Sequence, residues 1–313
     1  MTVPIRVSGF TIVRNGVKFD YPFLESIRSL LPLVDEFWVG VGLPASGEKD
    51  DGTLAAIQSL ATDPAAAGKL FWFESDWQLG DPNRLRSGHV LSEQTNLALD
   101  RCSGDWCIYL QADEVLHEMD FPMIRASLQE AHRRGLTDSI DALVFDYLHF
   151  YGSYDVVQQS RSAYRREVRA IRRSSGARSV GDAQSFRLAD GGKPRAIRAN
   201  GARVFHYGWV RTPEAMREKT FAMDELYHGK SHGAEGTATG DNYRYKRFWG
   251  LRRFSGSHPA VMHHRIATKN WNWDLERSPY AWNFADAKKI LSDGFERMTG
   301  IRPFEYRSYR LVR

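Results

Sequence analysis

The first 115 residues alternate between short apolar runs and segments whose apolar residues recur at helical spacing, and this alternation restricts the fold more than any other feature. Strands connected through helices form a parallel sheet with helices packed on its faces. Strands are predicted at residues 5–13, 37–41, 70–73 and 106–110. Helices are predicted at residues 23–34, from residue 53 onward, and at residues 92–101. The pattern therefore predicts the α/β class.

The second half of the chain is less regular. Strands are predicted at residues 142–148, 167–172 and 202–205. Thr212 followed by Pro213 is typical of a helix start, with Thr as the N-cap. A stretch rich in Gly, His, Ser and Thr, ending at residue 240, predicts a flexible loop. We therefore expect two halves of one domain, 1–115 and 116–228, and a loop with a helical, aromatic extension at 229–313.

The composition indicates a folded globular protein, with 42% apolar and 26% charged residues. No apolar run of about eighteen residues occurs, so no membrane-spanning helix is predicted. The first residues lack a cationic start followed by an apolar block, which predicts a cytoplasmic location. Cys102 and Cys107 are predicted to be reduced and packed rather than bridged.

Positive charge is concentrated toward the end of the chain. The net charge is +5, yet residues 241–313 contain fifteen Lys or Arg and seven Asp or Glu. Such a region fits a solvated surface, a peripheral contact with the inner face of an anionic membrane, a site for a phosphorylated acceptor, or a homodimer contact. These alternatives stay open. No recognised binding motif accompanies the charge, so no nucleic-acid partner is predicted.

A strand that runs directly into two carboxylates is the most informative motif. Residues 106–110 are apolar and are followed by Gln111, Ala112, Asp113 and Glu114. Acids in this position lie at the carboxyl edge of a parallel sheet, where open α/β sheets bind ligands. Hard divalent cations prefer oxygen ligands and share them with substrate phosphates. The motif therefore predicts an Mg²⁺ or Mn²⁺ site, and an ordinary acidic turn is the alternative.

The segment from Gly104 to Glu114 resembles the Asp-X-Asp region of family 2 glycosyltransferases. The resemblance implies the GT-A fold, a Rossmann-like and mostly parallel sheet flanked by helices. It also implies that Asp113 reaches the metal, that Gln111 and Ala112 contact the donor, and that Glu114 is a structural or acceptor-side acid. The sequence departs from the family pattern at Gln111, because a neutral amide replaces the first acid and is a weaker metal ligand.

Three earlier segments occur in the order that this resemblance requires. Asp51 lies in an Asp-Gly-Thr turn, where its carboxylate can accept hydrogen bonds from a base or ribose, and Thr53 is predicted to cap the next helix. Gln94 and Asn96 lie on the helix that precedes the acidic motif, and the resemblance implies that they contact the donor. The end of the first strand is expected to seat the nucleotide base through Thr11, Val13, Arg14 and Asn15.

Residues 204–211 form a second informative segment. His206 ends a predicted strand, and a neutral imidazole there can bind a divalent metal. The resemblance implies this role, and a core histidine with satisfied hydrogen bonds is the alternative. Arg211 and Lys219 are predicted to hold the donor diphosphate, since Arg suits bidentate phosphate contact and Lys a point charge. Ordinary solvated bases are the alternative for both.

The general base is predicted in the acceptor half. An inverting transfer requires a carboxylate that takes the proton of the acceptor hydroxyl. By resemblance this acid follows the metal motif, and Asp182 in a Gly-Asp pair fits the position. Glu167 is the reserve, and Arg165 and Arg169 are expected to neutralise it. The aromatic residues at 147–151 are candidates to line the acceptor pocket.

The resemblance as a whole implies a metal-dependent, inverting glycosyltransferase of polysaccharide biosynthesis. The implied donor is a UDP-, GDP- or dTDP-sugar, the cofactor Mn²⁺ or Mg²⁺, and the acceptor a glycan, a lipid-linked sugar or a cell-surface polysaccharide. Two alternatives remain. One is a sugar-nucleotide nucleotidyltransferase, although its Gly-rich triphosphate loop is not found after the first strand. The other is a non-catalytic sugar-binding protein, which the departure at Gln111 keeps open.

Overall fold

An eleven-stranded sheet organises the chain in the computed structural model. The structure describes residues 4–45, 47–81, 86–135, 137–228, 243–282, 284–299, 302 and 305–312. Eight strands follow one another in the order β12-β7-β6-β8-β4-β1-β2-β3, and β11 pairs with β6, β5 and β13. Strands β9 and β10 form a separate hairpin. The strand bounds are β1 Val7–Val13, β2 Glu36–Gly42, β3 Leu70–Ser75, β4 Trp106–Tyr109, β5 Glu114–Leu116, β6 Ala142–Tyr151, β7 Ser153–Gln158, β8 Arg166–Arg172, β9 Arg178–Val180, β10 Ser185–Arg187, β11 Arg195–Trp209, β12 Leu251–Arg253 and β13 Arg310–Leu311.

Helices cover both faces of this sheet. Their bounds are α1 Phe23–Leu30, α2 Thr53–Ala61, α3 His89–Arg101, α4 Phe121–Gly135, α5 Pro213–His228, α6 His263–Ala267 and α7 Phe284–Thr299. Strand β1 is buried along its whole length, and its side chains alternate between two cores. Val7 and Val13 join the core beneath α1, α2 and α4, whereas Phe10 and Ile12 join the core beneath α3. This two-sided burial explains why the strand contains no charged residue.

The predicted α/β class is confirmed by this arrangement. Strands β3, β2, β1 and β4 are parallel neighbours, so their carboxyl ends meet at one edge. Antiparallel β8 then joins β4 to β6, and long β11 runs parallel to β6. Short β5 pairs antiparallel with β11, which brings residues just after β4 next to residues 204–206.

Most predicted elements are present with similar bounds, and several local predictions can be compared with the structure. Thr212 caps α5 as predicted, because its hydroxyl accepts from the Ala215 N–H at 3.2 Å. Thr53 does not cap α2; its Oγ1 instead accepts from the backbone N–H of Gly16 at 2.8 Å and of Val17 at 3.2 Å.

Cys102 and Cys107 are buried and free, as predicted. The predicted loop near residue 240 lies largely outside the described residues. Across the described part of the chain, none of the helices has the length and apolarity needed to cross a bilayer.

Candidate active site

The residues that follow β4 form a tight turn that places two neighbouring carboxylates in different surroundings. The Glu114 N–H donates to the Gln111 carbonyl at 3.0 Å, and the Gln111 N–H donates to Glu114 Oε2 at 3.0 Å. These reciprocal bonds fix the turn and direct the Glu114 carboxylate back toward the sheet.

Glu114 is part of a buried ion pair. Arg169 on β8 donates from Nε and Nη2 to the two Glu114 oxygens, each at 2.8 Å, and both side chains are fully buried. The Tyr147 hydroxyl donates to Oε1 at 2.8 Å. Burial alone would lower the pKa of Arg169, but Glu114 raises it well above its usual range. With the bond from the Gln111 N–H, the Glu114 carboxylate accepts four hydrogen bonds from within the protein. Glu114 is therefore a structural acid.

Asp113 contacts three potential cations. Lys219 Nζ donates to Asp113 Oδ2 at 3.0 Å, Arg211 Nη2 lies 3.9 Å from Oδ2, and His206 Nε2 lies 3.6 Å from Oδ1. Burial alone would raise the pKa of Asp113, but Lys219 and Arg211 hold it well below its usual range. Asp113 is therefore ionised at neutral pH and available to a cation on the side of His206.

His206 is oriented by a relay of hydrogen bonds from β6. In the parallel pairing of β6 with β11, His149 is the direct neighbour of His206. His149 Nε2 lies 2.7 Å from the Tyr164 carbonyl oxygen, and its Nδ1 lies 2.9 Å from His206 Nδ1. A carbonyl only accepts, so His149 donates from Nε2. Burial and the neighbouring His206 lower the pKa of His149 to about 3, so its Nδ1 is an unprotonated acceptor.

The relay therefore fixes the tautomer of neutral His206. Its Nδ1 carries the hydrogen donated to His149, and the free lone pair is on Nε2, the atom nearest to Asp113. A metal-binding histidine characteristically donates its second ring N–H to an outer acceptor in this manner. His206 is thus a histidine with satisfied hydrogen bonds on one side and an available nitrogen on the other.

Gly208 keeps the space between these two side chains open. A Cβ at this position would lie 2.5 Å from His206 Nε2 and 3.3 Å from Asp113 Oδ2. Any larger residue would therefore occupy the volume in front of both side chains. The carbonyl of the same glycine accepts from Lys219 Nζ at 2.8 Å, so residue 208 also anchors the lysine.

Arg211 and Lys219, which are predicted to bind the donor diphosphate, differ in their exposure to solvent. Arg211 is fully buried, and its guanidinium donates to the carbonyls of Phe19 at 2.7 Å and Gly208 at 3.2 Å. The solvated-base alternative is wrong for Arg211. The Lys219 side chain is 14% exposed, and burial together with Arg211 lowers its pKa to about 8. Lys219 is therefore the more accessible cation next to Asp113.

The donor set fits a divalent cation that also binds substrate oxygens. Asp113 supplies a hard carboxylate oxygen, which Mn²⁺ and Mg²⁺ prefer, and His206 supplies an imidazole nitrogen, a common metal ligand. No cluster of three or more His, Cys, Asp or Glu side chains with ligand geometry occurs among the described residues. With Asp113 and His206 as its protein ligands, a cation here would leave most coordination positions to water or phosphate oxygens, as is usual for Mg²⁺ in phosphate sites.

The predicted base-binding segment lies at the end of β1, where Thr11 and Val13 are buried. Asn15 takes a left-handed conformation with φ 54°, and the Arg14 guanidinium pairs with Glu48. Asp51 accepts from the Lys18 N–H at 2.9 Å and from the Thr53 N–H at 3.0 Å. Burial alone would raise the pKa of Asp51, but these hydrogen bonds lower it. The Asp51 turn therefore holds the loop that follows β1.

The remaining predicted donor contacts have different surroundings. The Gln94 amide oxygen accepts from Ser75 Oγ at 2.5 Å, at the carboxyl end of β3. The Asn96 amide exchanges two hydrogen bonds with the backbone of Ser179, at 2.9 and 3.0 Å, so it joins α3 to β9 rather than facing the sheet edge. Ala112 is buried beside Asp113, and the half-buried Gln111 side chain makes no hydrogen bond with the described residues.

The two carboxylates that are candidates for the general base have different surroundings. Asp182 is half-buried, accepts from the Tyr227 hydroxyl on α5 at 2.9 Å, and closes the turn through the Gln184 N–H at 3.2 Å. Glu167 is buried and accepts from Ser185 Oγ at 3.0 Å and from Ser308 Oγ. The expectation that Arg165 and Arg169 neutralise Glu167 is wrong, because they pair with Glu296 and Glu114.

Several residues of the site escaped sequence reasoning. In the sequence, His149 is one of the aromatic residues at 147–151, and Arg169 is a predicted partner of Glu167. No sequence pattern marks Tyr21, although its ring lies below the Arg211 and Lys219 cations at 4.7 and 5.0 Å. The register of β6 against β11 is the signal that would have identified His149.

No family model matches the chain, and no curated protein matches it. Similar solved structures include S. aureus TarS, at 12% identity and TM-score 0.36, over 70% of this chain and 39% of that chain. Residues 1–349 of TarS in complex with UDP-GlcNAc give 12% identity and TM-score 0.36, with 71% and 66% coverage. Mannosyltransferase PcManGT from Pyrobaculum calidifontis, in complex with GDP-Man and Mn²⁺, gives 20% identity and TM-score 0.29, with 48% and 37% coverage. The chain thus spans about two fifths of the length of the first TarS chain that it matches.

Proposed function

We propose that the chain is a metal-dependent glycosyltransferase that transfers a sugar from a nucleoside-diphosphate sugar to an acceptor hydroxyl with inversion. The observation that carries this proposal is the pairing of Asp113 with His206. Residues 93 positions apart bring a carboxylate oxygen and an imidazole lone pair to 3.6 Å, at the end of a parallel strand. Gly208 keeps the space in front of them free.

Asp113 and His206 would hold the divalent cation, with Gln111 and Ala112 beside them. When bound, the cation supplies Lewis-acid stabilisation of the charge that develops on the leaving nucleoside diphosphate. Lys219 shares this task, since a side chain with a pKa of about 8 is mostly protonated at pH 7. Arg211 is proposed to act without touching the donor, because its guanidinium is hydrogen-bonded to carbonyls. It contributes mainly positive potential at Asp113.

The nucleotide is proposed to bind along the loop after β1. Thr11, Val13, Arg14 and Asn15 form its first wall, and Asp51 positions that wall through the Lys18 N–H. Gln94 extends the same edge at the end of β3. Asn96 has a mainly structural role in this proposal, because its amide is held by the backbone of Ser179.

Asp182 is the proposed general base. Asp182 is half-buried, and its carboxylate retains lone pairs beyond those used by Tyr227 and Gln184. Its partner Tyr227 lies on α5, the helix that also carries Lys219. Glu167 is less suited, because Ser185 and Ser308 enclose it within the protein. The acceptor is proposed to be a glycan or a lipid-linked saccharide.

The test is turnover of UDP-, GDP- and dTDP-sugars with Mn²⁺, Mg²⁺ or EDTA, measured as release of the nucleoside diphosphate. Asp113→Asn is expected to lower turnover at least about a hundredfold, because the charge that binds the cation is lost. Asp138→Asn, on a surface ion pair with Arg134, is the matched control and should retain activity. Turnover that survives Asp113→Asn would refute the assignment of this site.

Two other outcomes would identify the alternatives. Release of pyrophosphate from a nucleoside triphosphate and a sugar phosphate would indicate nucleotidyl transfer. Metal-dependent binding of a nucleotide-sugar, seen as a rise in melting temperature but without turnover, would indicate a binding protein.

A further inference from the structure

Helix α7 has its two faces in the reverse of the usual orientation. A helix on the surface of a globular protein normally packs its apolar face inward and exposes its polar face. On α7, Phe284, Leu291 and Met298 follow one another at intervals of two turns, and they are 94%, 75% and 81% exposed. Phe295 lies on the same face and is also exposed.

The opposite face of α7 is acidic and holds the helix against the body of the protein. Asp286 is fully buried and accepts from Lys289 Nζ at 3.2 Å. Asp293 accepts from Trp249 Nε1 at 2.7 Å, and Glu296 pairs with Arg165. The helix is therefore attached through hydrogen bonds and ion pairs, so its exposed apolar stripe is not a misplaced core face.

Charge on the exposed face has one sign. Lys288 lies on this face and is exposed, and no carboxylate is exposed there among the side chains of α7 that the structure describes. The acidic side chains of α7 lie on the face that packs against the protein. Residues 241–313 as a whole carry an excess of eight positive charges. An apolar stripe with cations and without surface acids is complementary to an anionic lipid interface.

Two aromatic residues extend the stripe at its amino-terminal end. Tyr280 and Trp282 are 39% and 59% exposed, with ring centroids 5.9 Å apart. Tyr and Trp favour the boundary between water and hydrocarbon, because their rings are apolar and their OH or N–H groups remain hydrated. The stripe from residue 284 to 298 is about 21 Å long at the helical rise.

We propose that α7, with Tyr280 and Trp282, is a membrane-docking helix that lies in the surface of a bilayer containing anionic lipid. Phe284, Leu291, Phe295 and Met298 enter the upper acyl region, and Lys288 contacts headgroup phosphates. A second copy of the chain fits this face less well, because two such faces would bring like charges together without an opposing carboxylate. The proposal does not depend on the Asp113 site.

The experiment is flotation of the full chain with phosphatidylcholine vesicles that contain or lack phosphatidylglycerol. Binding to the anionic vesicles is expected to exceed binding to the neutral ones and to weaken as salt is raised. Leu291→Ser is expected to lower the partition coefficient roughly tenfold, and the triple variant Phe284→Ser/Leu291→Ser/Met298→Ser should abolish binding. Met119→Ser, which removes another highly exposed apolar side chain on a different element, is the matched control and should bind normally.

The variants should fold, since the substituted side chains are exposed; circular dichroism and melting temperature verify this. Lys288→Glu is the second test and should selectively weaken binding to anionic vesicles. Absence of vesicle binding, or binding that the triple variant leaves unchanged, overturns the proposal. Light scattering that shows a dimer, converted to monomer by the triple variant without vesicle binding, would assign the face to a second copy. Turnover without lipid should be unchanged in the triple variant, so failure of the Asp113 assignment would be recognised separately.

Discussion

His149 and His206 share one hydrogen between their Nδ1 atoms, which lie 2.9 Å apart. The Tyr164 carbonyl determines which ring donates it, because it requires the opposite nitrogen of His149 to carry a hydrogen. The proposed metal ligand His206 thus receives its tautomer from a backbone carbonyl on a different segment of the chain.

Removal of this acceptor should weaken metal binding. His149→Phe preserves an aromatic ring but leaves the His206 Nδ1–H without its partner, so Mn²⁺ affinity is expected to fall about 10- to 100-fold. Isothermal titration with Mn²⁺ in the presence of a nucleoside diphosphate measures the change. His149→Gln, which retains a donor and an acceptor, should recover part of the affinity. Equal affinity in wild type and His149→Phe would show that the relay does not support the metal ligand.

His149 should also make stability depend on pH. Its pKa is about 3 in the folded protein and near 6.5 when unfolded, so the unfolded chain binds more protons between these values. The free energy of unfolding is therefore expected to fall as pH decreases below about 6.5, by up to about 1.4 kcal/mol per pH unit from this group. Above pH 6.5 the group contributes no slope.

Urea unfolding at several pH values, for wild type and His149→Phe, isolates this contribution. The variant should lose less stability on acidification than the wild type by about one proton's slope. Identical slopes would mean that His149 is protonated in the folded protein.

Arg169 and Glu114 should be required for folding rather than for chemistry. Arg169→Met leaves the Glu114 carboxylate buried without its cation, at an expected cost of about 3–5 kcal/mol in the free energy of unfolding. Arg198→Met, which breaks an exposed pair with Asp146, is the control and should cost at most about 1 kcal/mol. Urea unfolding measures both. A small loss in Arg169→Met would contradict the structural role of Glu114.

Gly208→Ala should block the proposed cation site with little effect on the backbone. The new Cβ would lie 2.5 Å from His206 Nε2, so the imidazole must move or the space is filled. We expect loss of Mn²⁺ binding in calorimetry, with retained fold by circular dichroism. Gly294→Ala, where a Cβ meets nothing within 4 Å, is the control. It should bind Mn²⁺ normally and gain up to about 1 kcal/mol of stability, because Ala favours the helix.

The sequence was most informative where structure depends on local periodicity. The strands and helices of the first 115 residues were predicted near their observed bounds, because apolar spacing of two or about 3.6 residues is visible within a short window. Helix α4 was not predicted, although Ile124, Leu128 and Ala131 are buried at helical spacing. Its charged residues obscured the pattern.

Contacts between distant strands could not be predicted in the same way. Glu114 and Arg169 are 55 residues apart and meet inside the sheet, so nothing near Glu114 in the sequence indicates its partner. The contact of His149 with His206 depends on the register between β6 and β11, which a single sequence does not specify. The resemblance placed Asp113 and His206 in one site, but only the fold supplies Gly208 and Tyr164.

Helix α5 contacts both Asp113 and Asp182, the two carboxylates with proposed roles in transfer. Lys219 contacts Asp113, and Tyr227, eight residues later and about 12 Å further along the helix axis, contacts Asp182. Met216 is the one fully buried residue of α5, all of whose residues are described, so the helix is held in place by few apolar contacts. A tilt of this helix that moves Lys219 away from Asp113 would also move Tyr227 away from Asp182. The contacts on the proposed leaving-group side and those of the proposed base would then change in a single movement of the helix.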